Sequence, residues 1–155
     1  MKTIPLTRGK AAIVDDEDYE YLNGFKWRAV RGYNCFYATR INSRKGGSKY
    51  TVTWMHREIM RPTDGMQVDH INGDGLDNRR ANLRIASSSQ NAMNRGASKN
   101  NKLGVKGVSL FCSGYRAQIC INRKVKHLGL FPSINEARAA YESAARKLHG
   151  EFSKV

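Results

Sequence analysis

The feature that most restricts this chain is a break in its pattern. Ala97 to Leu103 follow Gly96, are polar and show no apolar periodicity, so they read as a linker. A chain of 155 residues divided there must fold as two small modules, each with a thin core, which excludes a large multidomain enzyme. Its 27 basic residues against 13 acidic ones, a net +14, point to a polyanionic partner. Anionic membranes are disfavoured, because no apolar run approaches the roughly 18 residues a span requires. The opening Met1 to Lys10 also lacks the apolar centre of a signal peptide. The expectation is therefore a soluble, cytoplasmic protein. Cys35, Cys112 and Cys120 form no C-x-x-C pair, so free thiols packed in strands are expected rather than disulfides or a thiolate zinc site.

The charge is unevenly placed. Residues 1–60 hold 11 basic and 6 acidic groups, residues 61–96 hold 5 and 4, and residues 97–155 hold 11 and 3. From Lys99 to Asn135 there are seven basic residues and no acidic one, a field suited to a phosphate backbone.

The first segment reads as short strands around a small helix. Ala11 to Val14 is apolar, and the carboxylates from Asp15 to Asp18 suit a helix N-terminus that ends at Asn23-Gly24. The acidic run from Asp15 to Glu20 reads as a solvated helix start in preference to a metal site. Phe25 to Val30 and Cys35 to Ile41 predict a hairpin about Arg31 to Asn34. Lys45 to Ser48 predicts a second turn before a strand from Lys49 to Met55.

Beyond the linker, Lys106 to Phe111, Tyr115 to Asn122 and Val125 to Phe131 read as three strands. In the middle one Tyr115, Ala117, Ile119 and Ile121 alternate with Arg116, Gln118, Cys120 and Asn122, giving a core face and a solvent face. Pro132 ends the sheet, and Ser133 with Glu136 has capping-box spacing for a helix reaching about Leu148 before Gly150. Ala137, Ala140, Tyr141, Ala144 and Leu148 make its packing stripe, which leaves Arg116 and Gln118 facing a ligand.

The chemistry concentrates between these ends. Met66 to His70 and Leu83 to Ala86 read as strands joined by a glycine-rich loop, and one of Ser87 to Ser89 can cap a short helix carrying Asn91. Such a unit can bring Asp69, His70 and Asn91 to one point. A carboxylate and an amide oxygen are hard ligands suited to Mg²⁺, and a neighbouring histidine can accept a proton near neutral pH. That set fits phosphodiester hydrolysis. An Asp-His pair by itself is weak, since most single histidines are packed or surface residues.

The full pattern resembles the homing-endonuclease branch of the HNH nucleases: Asp69-His70, Asn82 and Asn91 stand where that family has its Asp-His pair, middle Asn and final His or Asn. The resemblance implies that Asp69 and Asn91 hold the divalent metal, Mg²⁺ or Mn²⁺, that His70 is the general base, and that Asn82 ties down the loop and orients His70. An Asn in the last place favours a hard metal over zinc. Trp54 to Met60 resembles the helix that precedes the motif, and His56 on it is expected to be structural or to contact phosphate. Arg79, Arg80 and Arg84 are candidate phosphate contacts, with ordinary surface arginines the equal alternative.

The C-terminal segment resembles the APETALA-type DNA-binding domain of plant ethylene-response factors. The likeness is carried by Gly107-Val108, Tyr115 to Ile119, Leu128 to Phe131, Glu136-Ala137, Ala140-Tyr141, Ala144-Ala145 and Leu148 to Gly150. It implies a three-stranded sheet that enters the major groove, with Lys106, Arg116, Gln118, Lys124 and His127 as DNA contacts.

The expected fold class is α+β, in four parts. Residues 1–53 are a β-rich extension, 54–96 a ββα-metal HNH module, 97–103 a linker, and 104–155 a three-stranded antiparallel sheet packed on one helix. The expected function is a metal-dependent, site-preferring homing-type nickase acting on double-stranded DNA as a monomer, without a small-molecule cofactor, in the cytoplasm of a bacterial host if phage-encoded. The rivals are a nonenzymatic DNA-binding regulator with a degenerate nuclease hairpin and a binder of structured RNA.

Overall fold

A computed structural model describes residues 1–32, 34–42, 50–98, 100–121 and 124–153. The chain divides into two compact units, Met1–Ser87 and Ser88–Val155. The division therefore falls ahead of the expected linker. Asn101 shows why: its Nδ2 donates to the carbonyls of Val105 and Val108, and Leu103 packs on the second core, so these residues belong to the second unit.

In the first unit β1 (Lys2–Pro5) and β2 (Ala11–Val14) form an antiparallel pair, followed by α1 (Asp16–Asn23). Asp16, Glu17 and Asp18 sit in the first turn of α1, where the exposed amides favour negative charge. β3 (Arg28–Arg31), β4 (Phe36–Asn42) and β5 (Thr51–Trp54) make an antiparallel sheet in that order. The expected hairpin is present with later strand starts; the turn expected at Lys45 to Ser48 lies outside the described residues. α2 (Met55–Met60) ends on Arg61 in the left-handed region (φ 43°), and Pro62 follows, which cannot continue a helix. β6 (Gln67–His70) and β7 (Leu83–Ala86) pair antiparallel.

One core joins these pieces: Ile4, Val14 and Leu22 pack with Trp27, Met55, Ile59, Val68 and Leu83. The N-terminal segment and the β6–β7 ribbon thus share a hydrophobic centre, where the sequence suggested a separate extension. Backbone bonds reinforce this, with Ile13 N–H donating to Leu76 O and Asn78 N–H to Ile13 O, both at 2.8 Å. Gly75 lets the loop approach β4, since a Cβ there would lie 2.5 Å from the Phe36 carbonyl oxygen and 2.6 Å from the Tyr37 ring.

The second unit opens with α3 (Ser88–Met93) and continues with β8 (Val108–Phe111), β9 (Gly114–Ile121) and β10 (Lys124–Phe131), ordered β10-β9-β8 and all antiparallel. α4 (Ile134–His149) packs on the sheet, with Ser133 Oγ accepting from Glu136 N–H as the cap. Ala117, Ile119, Ala137, Tyr141 and Ala145 form the core. The end of the helix stripe departs from expectation: Leu148 is exposed, while His149 is buried with Nε2 3.2 Å from the Cys120 carbonyl oxygen. Cys112 and Cys120 are exposed rather than packed. Among the described residues, no helix is long and apolar enough to cross a membrane.

Candidate active site

Alternation along β6 puts Asp69 on one side of the ribbon and Val68 and His70 on the other. Asp69 faces Arg84 directly in register, and Arg84 Nε and Nη2 donate to Asp69 Oδ2 at 2.9 and 2.8 Å. Both side chains are almost wholly removed from solvent.

His70 is buried at the end of β6 among groups from distant segments. Its ring centroid lies 5.0 Å from that of His56 on α2 and 5.8 Å from that of Tyr37 on β4, both edge-on. The Asn78 Oδ1 atom is 3.4 Å from His70 Nε2. An amide oxygen only accepts, so this contact is a hydrogen bond in the tautomer that carries its proton on Nε2. Burial lowers the His70 pKa, partly offset by the Asn78 bond and by Asp69, Asp74 and Asp77. The imidazole is therefore neutral at pH 7, the form a general base needs.

His56, the residue with two expected roles, is 8% exposed, and its Nδ1 has no hydrogen-bond partner. Burial first, then the charges of His70 and Arg57, push its pKa down to about 3. It is held as a neutral ring between Trp54, Tyr37 and His70.

The loop from Ile71 to Asn82 is closed by its own polar side chains. Asn82 Oδ1 accepts from Asn72 N–H at 3.0 Å, Asn82 Nδ2 donates to Asn72 Oδ1 and to the Asp77 carbonyl, and Ile71 N–H donates to the Asn82 carbonyl. Asn72 and Asp74 add two further side-chain bonds to backbone N–H groups within the loop. Asn82 thus sits at the knot of the loop, while the bond to the His70 ring comes from Asn78.

All three candidate phosphate-binding arginines have carboxylate partners. Arg79 clasps Asp77 at 2.7 and 2.6 Å, bonds that hold the Asp77 carboxyl below its usual range. Arg80 donates to Asp18 at 2.8 and 2.7 Å and to Glu17 at 2.9 Å, and its N–H donates to Asp15 Oδ2. The acidic helix start is solvated at Asp16, Glu17 and Glu20, as expected, and also clamps Arg80 through Asp18 and Glu17. Arg84 is taken by Asp69.

The first unit brings Asn78 to His70 and Asn82 to the loop beside them, with Asp69 on the opposite face of β6 against Arg84; Asn91 is carried on α3 of the second. In the second unit, strand register places Arg116, Gln118 and His127 on one face of the sheet, with Gln118 directly beside His127. Lys124 pairs with Ile121, on the other face, and Lys106 Nζ donates to the Met93 carbonyl. Sequence reasoning missed Tyr37 and Asn78. Asn78 was one polar residue in a loop full of them, and no local spacing links Tyr37 to His70.

A family model described as HNH endonuclease matches residues 61–93. An uncharacterized HNH endonuclease of Acanthamoeba polyphaga mimivirus is 29% identical over 161 residues, an alignment covering 96% of this chain and 76% of that protein. No solved structure matches the chain. Asp69, His70, Asn82 and Asn91 all lie within the matched span, whose loop chemistry and neutral buried histidine suit a hydrolase, so the chain is a nuclease whose residues 61–93 are similar to HNH endonucleases.

Proposed function

We propose that the protein is a divalent-metal-dependent endonuclease that hydrolyses phosphodiester bonds in double-stranded DNA, a homing-type nickase that acts as a monomer with Mg²⁺ or Mn²⁺. The observation that carries this reading is the buried, neutral His70 next to Asp69 inside the span that matches HNH endonucleases.

The residues fit a hard cation. Asp69 offers a carboxylate, and Asn91 is assigned as the second ligand on the motif spacing alone. Among the described residues, no group of three or more His, Cys, Asp or Glu side chains is placed to hold a metal. A cation at Asp69 would take most of its ligands from water and phosphate, as Mg²⁺ does. When bound, it neutralises charge on the phosphate and the leaving 3′ oxygen.

The chain's own groups do the rest. His70 Nδ1 takes the proton of the attacking water, and Asn78 holds the ring in the tautomer that leaves Nδ1 basic. Asn82 keeps the loop, and with it Asn78, in place. Arg79 and Arg80 are partly exposed and can reach phosphate while still paired; Arg84 is assigned to Asp69 instead.

The second unit is assigned the binding role, on its likeness to the ethylene-response-factor domain. A three-stranded sheet packed on one helix is compatible with that reading, and the acid-free basic stretch from Lys99 to Asn135 suits a duplex backbone. Arg116, Gln118 and His127 would face the groove, with Lys106 and Lys124 at its margins.

Supercoiled plasmid incubated with and without Mg²⁺ tests the proposal. Mg²⁺-dependent conversion to open circle supports it. Binding with no nicking under any divalent metal would favour the nonenzymatic DNA-binding regulator, and preferential cleavage or binding of structured RNA would favour the RNA reading.

A further inference from the structure

The outer face of the C-terminal sheet is less basic and more apolar than its sequence suggested. Register aligns three cross-strand rows on it: Leu130 beside Arg116 and Ser109, His127 beside Gln118, and Val125 beside Cys120. Leu130 is 56% exposed and Val125 66% exposed. Strict alternation from His127 would turn Leu130 to the opposite face; the bulge between His127 and Gly129 corrects this by inserting Leu128, which packs on the core. The fold thus uses an irregularity to hold a leucine outward, next to the cation of Arg116.

Arg116 is itself prepared for a ligand. Its guanidinium lies over the Phe111 ring at 5.0 Å, and its Nε is buried with no hydrogen-bond partner. The surrounding stretch from residue 99 to 135 contains no carboxylate in the sequence. A guanidinium stacked on an aromatic ring suits the O6 and N7 acceptors of guanine through its terminal nitrogens, and exposed aliphatic groups beside it suit the one apolar feature of the major groove, the thymine 5-methyl. Directly opposed residues in a sheet stand about 5 Å apart, comparable to the 3.4 Å rise of a base pair, so Arg116 and Leu130 would reach neighbouring pairs.

We propose that Leu130 and Val125 are specificity determinants that pack on thymine methyl groups, next to a guanine held by Arg116 on its Phe111 platform. This rests on the reading of that sheet as the duplex-binding face.

The test uses the full-length protein with EDTA to prevent cutting and a duplex pool with a randomised core. The enriched duplexes should share a guanine with a thymine in an adjacent pair, on either strand. Replacing each such thymine by deoxyuridine, which removes only the methyl, should weaken binding about fourfold per contact. Leu130→Ala and Val125→Ala, at exposed positions, should each bind the thymine and uracil forms of one position equally, while Leu130→Met restores the preference. Arg116→Lys should relax the guanine preference and weaken binding about tenfold. Enriched duplexes bound equally with thymine or uracil, or unchanged discrimination in both alanine variants, would overturn the proposal alone. Retention of no duplex would overturn the duplex-binding reading and the proposal with it.

Discussion

Arg84 donates from both Nε and Nη2 to a single oxygen of Asp69, across a register pair of β6 and β7. The pair is nearly buried, so each charge is strongly stabilised by the other. Arg84→Ala would take the paired guanidinium from a nearly buried carboxylate and should lower stability by about 3 kcal/mol. Urea unfolding should show this as a lower midpoint with an unchanged slope. Mg²⁺ or Mn²⁺ should recover part of the loss by taking the place of the guanidinium charge. A variant indifferent to both metals would count against Asp69 as a ligand.

His70→Ala should reduce single-turnover cleavage by about 10²- to 10⁴-fold with DNA affinity changed only a few fold, because a base acts in the transition state. Asn78→Ala removes the group 3.4 Å from Nε2 and should slow the same step by up to about a hundredfold, the effect of a slightly misplaced reacting group. Its KM should stay near wild type. Full activity in Asn78→Ala would show that the ring is held without the Asn78 contact.

Stability should fall on acidification from a cause near the site. The His56 value in the folded state, about 3, lies below the ordinary 6.5, so between these pH values the unfolded chain binds a proton that the folded one does not. Stability is therefore complete above this window and is lost as pH drops through it, by about 1.4 kcal/mol per pH unit. His70 is shifted in the same direction and adds to the slope. Denaturant titrations at several pH values should show the slope, and His56→Gln should flatten it.

Gly75→Ala tests the contact between the loop and β4. The added methyl would meet the Phe36 carbonyl and the Tyr37 ring, and the carbonyl belongs to a paired strand that yields little. A loss of about 1–3 kcal/mol is expected. Because Tyr37 also lies against His70, cleavage should weaken alongside stability. A neutral substitution would mean that the loop moves away from β4 at no cost.

Some of this was legible in the residues. The two-residue alternation of β9 correctly sorts Ala117 and Ile119 from Arg116 and Gln118, and Ser133 with Glu136 places the start of α4. These signals act over a few residues, through backbone geometry and the bonds of one helical turn, so the local sequence carries them whole. The Asp69-His70 pair was legible as hard-ligand and proton-accepting chemistry, and Asn82 only through the resemblance to the HNH pattern, while its bonds to Asn72 and Asp77 are local to the loop.

Tertiary structure alone decided which side chains surround His70. Tyr37, His56 and Asn78 come from a strand, a helix and a loop that meet only when Trp27, Met55 and Val68 bury one core together. The same holds for the arginines. Arg80 looked available for phosphate until the fold brought the carboxylates of α1 to it, and Arg84 until strand register set it opposite Asp69. On the C-terminal sheet a bulge of one residue reversed the direction that alternation assigned to Leu130. In each case the deciding contact lies between chain segments or depends on register, and neither composition nor periodicity within a segment encodes it.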